Sequence, residues 1–174
     1  HISWLDMLIL YTQYTMQFIA RAEIKKWPVI SLLIKASGAI FINRTNKRDL
    51  IHINQFVSQK LSEGAVIGLF PEGKTSCGIS VSTFNASLLK APIIAHSTII
   101  PVVIKYYTTN GSPTTRITYA GNITFWQSLK NSLLLNGIIV KIAILNPVNA
   151  ANFPTRNQLA VFLHQQISQQ FNLM

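Results

Sequence analysis

The chain has 174 residues, 49% of them apolar, which suffices for the core of one ordinary domain and excludes a disordered chain. Lys and Arg number 15 against 5 Asp and Glu, a formal net charge of +10, yet only 11% of residues are charged. Sparse charge of one sign calls for an anionic partner, and beside this apolar content it leans toward a membrane surface over nucleic acid. The single cysteine, Cys77, excludes an intramolecular disulfide and a Cys-rich metal site. No apolar run reaches the ~18–20 residues of a spanning helix. The sequence opens on His1 instead of Met, so the expectation is a single domain over 1–174 that is a fragment or processed form, with any upstream segment outside it.

Residues 4–20 are apolar almost all round and predict a strongly buried helix. Pro28 then favours a turn or a helix start. Residues 38–42, a short apolar run behind Gly38, read as a buried strand. Residues 48–62 have helical spacing in Leu50, Ile53, Phe56, Val57 and Leu61, with Gly64 as C-cap. Residues 65–70 predict a second buried strand, ended by Pro71, and 71–83 a loop. A short helix follows at 85–89 and a strand at 99–107, where Pro101 implies an edge or a bulge. Residues 116–120 predict another strand, 126–135 a helix and 137–145 a fifth strand. Residues 156–171 set Leu159, Phe162, Leu163 and Ile167 against Gln-rich positions, an amphipathic helix with Thr155 as N-cap. Strands alternating with helices argue for an α/β layered domain whose mixed sheet is mostly buried.

Three short constellations can carry chemistry. His1 and Asp6 stand five positions apart at the mouth of a helix, where a carboxylate can fix an imidazole tautomer while the other ring nitrogen takes a proton from an alcohol. Alone, this spacing favours a helix-capping Asp beside a terminal His. Phe70, Pro71, Glu72 and Gly73 directly follow an apolar strand, a place where α/β proteins put their sites, although an ordinary Pro-Glu-Gly turn has the same pattern. Residues 38–44 deliver Arg44 to a strand end, where a guanidinium can grip a phosphate, or simply sit in solvent.

Together, in order and spacing, the three match the motif series of the glycerolipid acyltransferases, and the chain resembles the 1-acylglycerol-3-phosphate (lysophosphatidate) acyltransferase family over roughly residues 1–107. His1 to Asp6 matches its H-x4-D motif. Residues 18–28 resemble the segment with a basic residue, a Glu and a Pro. Residues 38–44 resemble the G-x-I-F-I-D-R block, 70–76 the F-P-E-G-T-R-S block, and Ile100, Pro101 and Val102 the I-V-P-V block. Residues 108–174 match no motif.

The resemblance implies a glycerolipid acyltransferase-like fold. It implies His1 as general base, Asp6 as its orienting carboxylate, and Arg44, Glu72, Gly73, Lys74, Thr75 and Ser76 as holders of the acceptor. It implies a lysophospholipid acceptor and acyl-CoA or acyl-carrier protein as donor and co-substrate. No resident cofactor, no metal, no Ser or Cys nucleophile and no nucleic acid are expected. The expected location is an anionic membrane, on the cytoplasmic face of the inner or plasma membrane. Asn43 stands where the family block usually has Asp, and Lys74-Thr75 where it most often has Thr-Arg. Such variants are similar to enzymes with another acceptor, such as a lyso-ornithine lipid. The alternative of another class is a basic nucleic-acid- or membrane-binding module without catalysis, although the Lys and Arg residues are spread and not striped. A further alternative is an inactive relative. His52, His96 and His164 lie at no metal-ligand spacing and read as surface or core histidines. The basic pairs Lys25-Lys26 and Lys47-Arg48 can face lipid head groups or water.

Overall fold

The computed structural model describes residues 1–21, 39–42, 47–121 and 123–174. Helix α1 (Leu5–Gln13) leads into strand β1 (Gln17–Arg21), and helix α2 (Lys47–Ser62) stands between strands β2 (Ile40–Ile42) and β3 (Ile67–Gly68). A 3-10 turn (Ala86–Leu88) and helix α3 (Lys90–Ile94) precede β4 (Thr98–Ile99) and β5 (Val102–Tyr107). Helix α4 (Phe125–Leu133), β6 (Ile139–Ile144), β7 (Val148–Asn149), a 3-10 turn (Ala150–Asn152) and helix α5 (Arg156–Leu173) complete the described chain.

The α/β class holds. Among the described residues the strands pair in three short sheets: parallel β2-β1-β3, antiparallel β4-β7 and antiparallel β5-β6. Two expected elements differ in kind, and the strand expected at 65–70 is confined to Ile67–Gly68. The helix predicted over 4–20 stops at Gln13, Tyr14 is extended, and 17–21 become the central strand of the parallel sheet. A run that is apolar on every side carries neither a helical nor a strand period, so Phe18 and Ile19 fit a doubly covered strand as well as a helix. The strand predicted at 116–120 is a turn and irregular chain instead. Its Ile117 is fully buried as a plug between Ile2 and Tyr106, with the Ile2 carbonyl accepting from the Tyr119 amide at 2.8 Å. The turn expected at Pro28 and the strand start at Gly38 lie outside the described residues.

Pro101 breaks the predicted 99–107 strand into β4 and β5, and its carbonyl accepts from the Leu145 amide at 2.9 Å. Having no N–H of its own, Pro cannot continue a ladder on both edges. Gly64 ends α2 with φ of 86°, the left-handed C-cap read from the sequence. Thr155 caps α5, its Oγ1 accepting from the Gln158 amide at 3.3 Å.

Three apolar clusters hold these parts. Leu159, Ala160 and Leu163 of α5 pack on Leu89, Val148 and Ala150. Ile19 of β1 packs with Val57 of α2, Leu88 and Ala91. Buried Asn54 fastens α2 to the same turn: its Nδ2 donates to the Leu50 and Ser87 carbonyls, and its Oδ1 accepts from the Ala91 amide. The third cluster, Ile2, Tyr106 and Ile117, lies under the chemistry-bearing end of the chain.

Candidate active site

Residues 1–6 wrap around their own carboxylate. Asp6, in the first turn of α1, is 1% exposed. Its Oδ2 is 2.7 Å from His1 Nδ1 and accepts from the backbone amides of Ile2 at 2.8 Å and Ser3 at 3.2 Å. Its Oδ1 accepts from the Tyr106 hydroxyl at 2.5 Å, across 100 positions of sequence. Burial pushes the Asp6 carboxyl above its ordinary 3.8, while the Tyr106 hydroxyl, the charge of the His1 amino nitrogen and the Ile2 and Ser3 amides pull the other way. All these groups are donors, the set that an ionised carboxylate requires. Because Asp6 must accept, His1 Nδ1 carries a hydrogen and Nε2 is the nitrogen that can take a proton.

The His1 ring is held from a second side. Phe70, just past β3, stacks on it with centroids 3.8 Å apart and planes 14° from parallel. Phe18 of β1 lies parallel behind Phe70, at 5.8 Å and 2°. The parallel register puts Phe18 opposite Gly68, and a Cβ on Gly68 would fall 2.6 Å from the Phe18 ring and 2.9 Å from Met16 Sδ. Gly68 is therefore the residue that lets the Phe18, Phe70 and His1 stack form.

The loop after β3 clamps the His1 backbone. Glu72 Oε1 accepts from the His1 backbone nitrogen, and Glu72 Oε2 accepts from the Ser82 amide at 2.9 Å. The His1 carbonyl accepts from the Ser76 amide at 2.9 Å. Gly73 turns the loop with φ of 72°, and its amide donates to the Phe70 carbonyl at 3.1 Å. His1, Asp6, Phe70, Glu72 and Ser76 line a cavity of about 780 Å³, together with Leu163, Ile167 and Phe171 of α5. The cavity has the size and apolar walls of a site for a long organic ligand.

Residues 1–105 match the Acyltransferase family. The chain belongs to the acyltransferase family. It is 38% identical over 167 residues to a 1-acyl-sn-glycerol-3-phosphate acyltransferase of Neisseria gonorrhoeae, covering 96% of this chain and 65% of that protein. It is 32% identical over 135 residues to a lyso-ornithine lipid O-acyltransferase of Rhizobium meliloti, covering 72% of this chain and 45% of that one. The fold is that of the solved 1-acyl-sn-glycerophosphate acyltransferase of Thermotoga maritima, with a TM-score of 0.66 at 21% identity over 99% of this chain and 62% of that structure. The chain thus spans less than two thirds of the length of these three proteins.

On this acyltransferase scaffold, the residues singled out in the sequence fall into groups. His1 and Asp6 are brought into direct contact. Glu72, Gly73 and Ser76 surround the His1 backbone, and both oxygens of Glu72 are engaged by backbone nitrogens instead of facing open solvent. Thr75 is half-buried beside them, and Lys74 is exposed. Arg44 and Asn43 lie outside the described residues. Cys77 is exposed, and His164 packs on Phe84 and lies 3.4 Å from the Val81 carbonyl, in the loop's far wall. Two contributors escape the sequence reading. Phe70 belongs to a quoted motif, but its ring contact with His1 is a tertiary fact. Tyr106 sits in a strand beside a second tyrosine, and no local signal separates it from Tyr107.

Proposed function

We propose that this chain carries the catalytic centre of an acyltransferase that moves a fatty acyl group from a thioester to the free hydroxyl of 1-acylglycerol-3-phosphate, giving phosphatidic acid. The observation that carries this reading is the His1–Asp6 pair in the wall of a cavity lined mostly by apolar side chains. His1 Nε2 takes the hydroxyl proton while the acceptor oxygen attacks the thioester carbonyl. Asp6, ionised, stabilises the imidazolium that forms. The tetrahedral intermediate collapses with cleavage of the C–S bond, and the departing thiolate recovers the proton from His1. The reading needs neither a resident cofactor nor an acyl-enzyme. Holding both substrates at one centre supplies much of the acceleration. Arg44, Lys74 and Thr75 are the groups proposed to meet the acceptor phosphate, while Glu72, Gly73 and Ser76 shape the floor on which it lies.

The second reading keeps the chemistry and changes the acceptor to a lyso-ornithine lipid. It is favoured by the Rhizobium relative and by Lys74-Thr75 in place of Thr-Arg. Acyl transfer by the intact natural protein to lysophosphatidate and to a lyso-ornithine lipid, each with acyl-CoA and with acyl-carrier protein, separates the two. The first reading predicts higher kcat/KM on lysophosphatidate, and a preference for the phosphate-free acceptor overturns it.

We place the reaction at an anionic membrane surface. No helix among the described residues is long and apolar enough to cross a membrane. Beyond Glu72 the sequence contains no Asp or Glu and seven Lys and Arg. Helix α4 and its C-cap Leu134 turn Trp126, Lys130, Leu133 and Leu134 to solvent along one side, and the inner side of the helix meets the His1 segment where Trp4 Nε1 donates to Ser128 Oγ at 3.3 Å. An exposed Trp and Leu face with a Lys among them suits the lipid interface. The cytoplasmic face is the side where acyl-CoA and acyl-carrier protein are available.

A further inference from the structure

Asp6 has two oxygens and a divided set of partners. Oδ2 serves the catalytic ring and the turn that bears it. Oδ1 faces away from the ring and meets the Tyr106 hydroxyl at 2.5 Å. Tyr106 is 2% exposed and comes from the β5–β6 ladder, where it is paired with Val140. It forms a buried apolar cluster with Ile2 and Ile117. A carboxylate oxygen in such a place has no solvent to fall back on: it has a donor or it draws a proton.

We propose that Tyr106 is a positioning residue for acyl transfer, which keeps Asp6 ionised and in one rotamer by donating to the oxygen that His1 does not use. This rests on the reading of His1 as general base. The phenol suits the task because it can serve here only as a donor: burial first, then the charge and hydrogen bond of Asp6, pushes its own ionisation far up, so it stays protonated throughout the working pH range. The titratable groups that face Asp6 among the described residues are the His1 imidazole and the His1 amino nitrogen, from the same turn, and Tyr106, from β5. Glu72, from the loop, reaches the His1 backbone nitrogen and not Asp6, and α4 meets Trp4 through the neutral Ser128 and Phe125. Removing the phenol therefore leaves one way to satisfy Oδ1, which is a proton from water. The pair then takes up its first proton at a higher pH than before, whichever of the two residues holds it.

The test is the pH profile of acyl transfer from acyl-CoA to lysophosphatidate by the intact natural protein, compared with Tyr106→Phe, Tyr107→Phe and His1→Ala. Tyr107 is the neighbour on the same strand, and its hydroxyl donates to the Met174 carbonyl, away from the pair. Tyr106→Phe is expected to lower kcat about tenfold to hundredfold, to leave both KM values unchanged, and to move the acid limb up by about one pH unit. Tyr107→Phe is expected to leave the limb in place. Replacing Tyr106 with 3-fluorotyrosine, a stronger donor of nearly the same size, shifts the limb down and tests the idea even where the Phe variant folds poorly. An unmoved limb in both Tyr106 variants, with His1→Ala inactive, overturns the role of Tyr106 and leaves the base intact. Full activity in His1→Ala overturns both.

Discussion

Two regions hold His1, and they hold it differently. The turn of residues 1–6 gives its carboxylate to the ring: Asp6 Oδ2 meets Nδ1 at 2.7 Å. The loop 71–83 gives its carboxylate to the backbone: Glu72 takes the His1 nitrogen and the Ser82 amide. Both acids are buried, yet one sets what the imidazole can do and the other sets where the residue sits. Burial of an acid beside a histidine is thus not by itself a catalytic assignment. The atom that each oxygen contacts decides the role.

The largest way to sharpen this contrast is Asp6→Asn. It keeps the shape of the side chain, removes the charge and puts an amide where donors converge, so kcat is expected to fall about 10²–10⁴-fold with the fold retained, as read by kcat and circular dichroism. The acid profile of the unaltered protein follows from the same group. Burial raises the folded-state value above 3.8, so ionised Asp6 costs folding free energy at neutral pH. That cost disappears as pH falls through the raised value and is fully gone below the ordinary one. Acidification is therefore expected to abolish transfer as Asp6 takes up its proton, while Asp6 itself makes the fold more stable, and parallel activity and melting curves against pH check that the two diverge.

Glu72→Gln tests the other region. Its amide nitrogen must face one of two backbone N–H groups, leaving a buried donor against a donor and costing about 1–3 kcal/mol of stability. Activity is expected to fall through misplacement of His1, with both kcat and KM changed and the acid limb unmoved. A shifted limb would assign Glu72 to the ring after all. The smallest effect comes from Gly68→Ala, which touches neither carboxylate. Its Cβ meets the Phe18 ring at 2.6 Å, so the stack behind His1 must yield at a cost of about 1–3 kcal/mol, read as a lower Tm.

The same contrast explains what could be read from the sequence. His1 and Asp6 lie within one turn, so their meeting is a local matter that spacing expresses. The capped helix at 156–171 and the Pro101 break are local too. Tyr106 reaches Asp6 across 100 positions by β5 pairing with β6, and nothing in Val-Val-Ile-Lys-Tyr-Tyr distinguishes the Tyr that points at the site. The 4–20 segment misleads for a related reason: with apolar residues on every side, it carries no period of its own, and its second half pairs as a strand with β2 and β3, distant in sequence.

The most direct measurement is transfer of a radiolabelled acyl group from acyl-CoA or acyl-carrier protein to lysophosphatidate by the intact natural protein and its His1→Ala variant, with both shown to be folded. The account predicts labelled phosphatidic acid from the first and a loss of about 10²–10⁴-fold in the second. Equal turnover by the two proteins would contradict it.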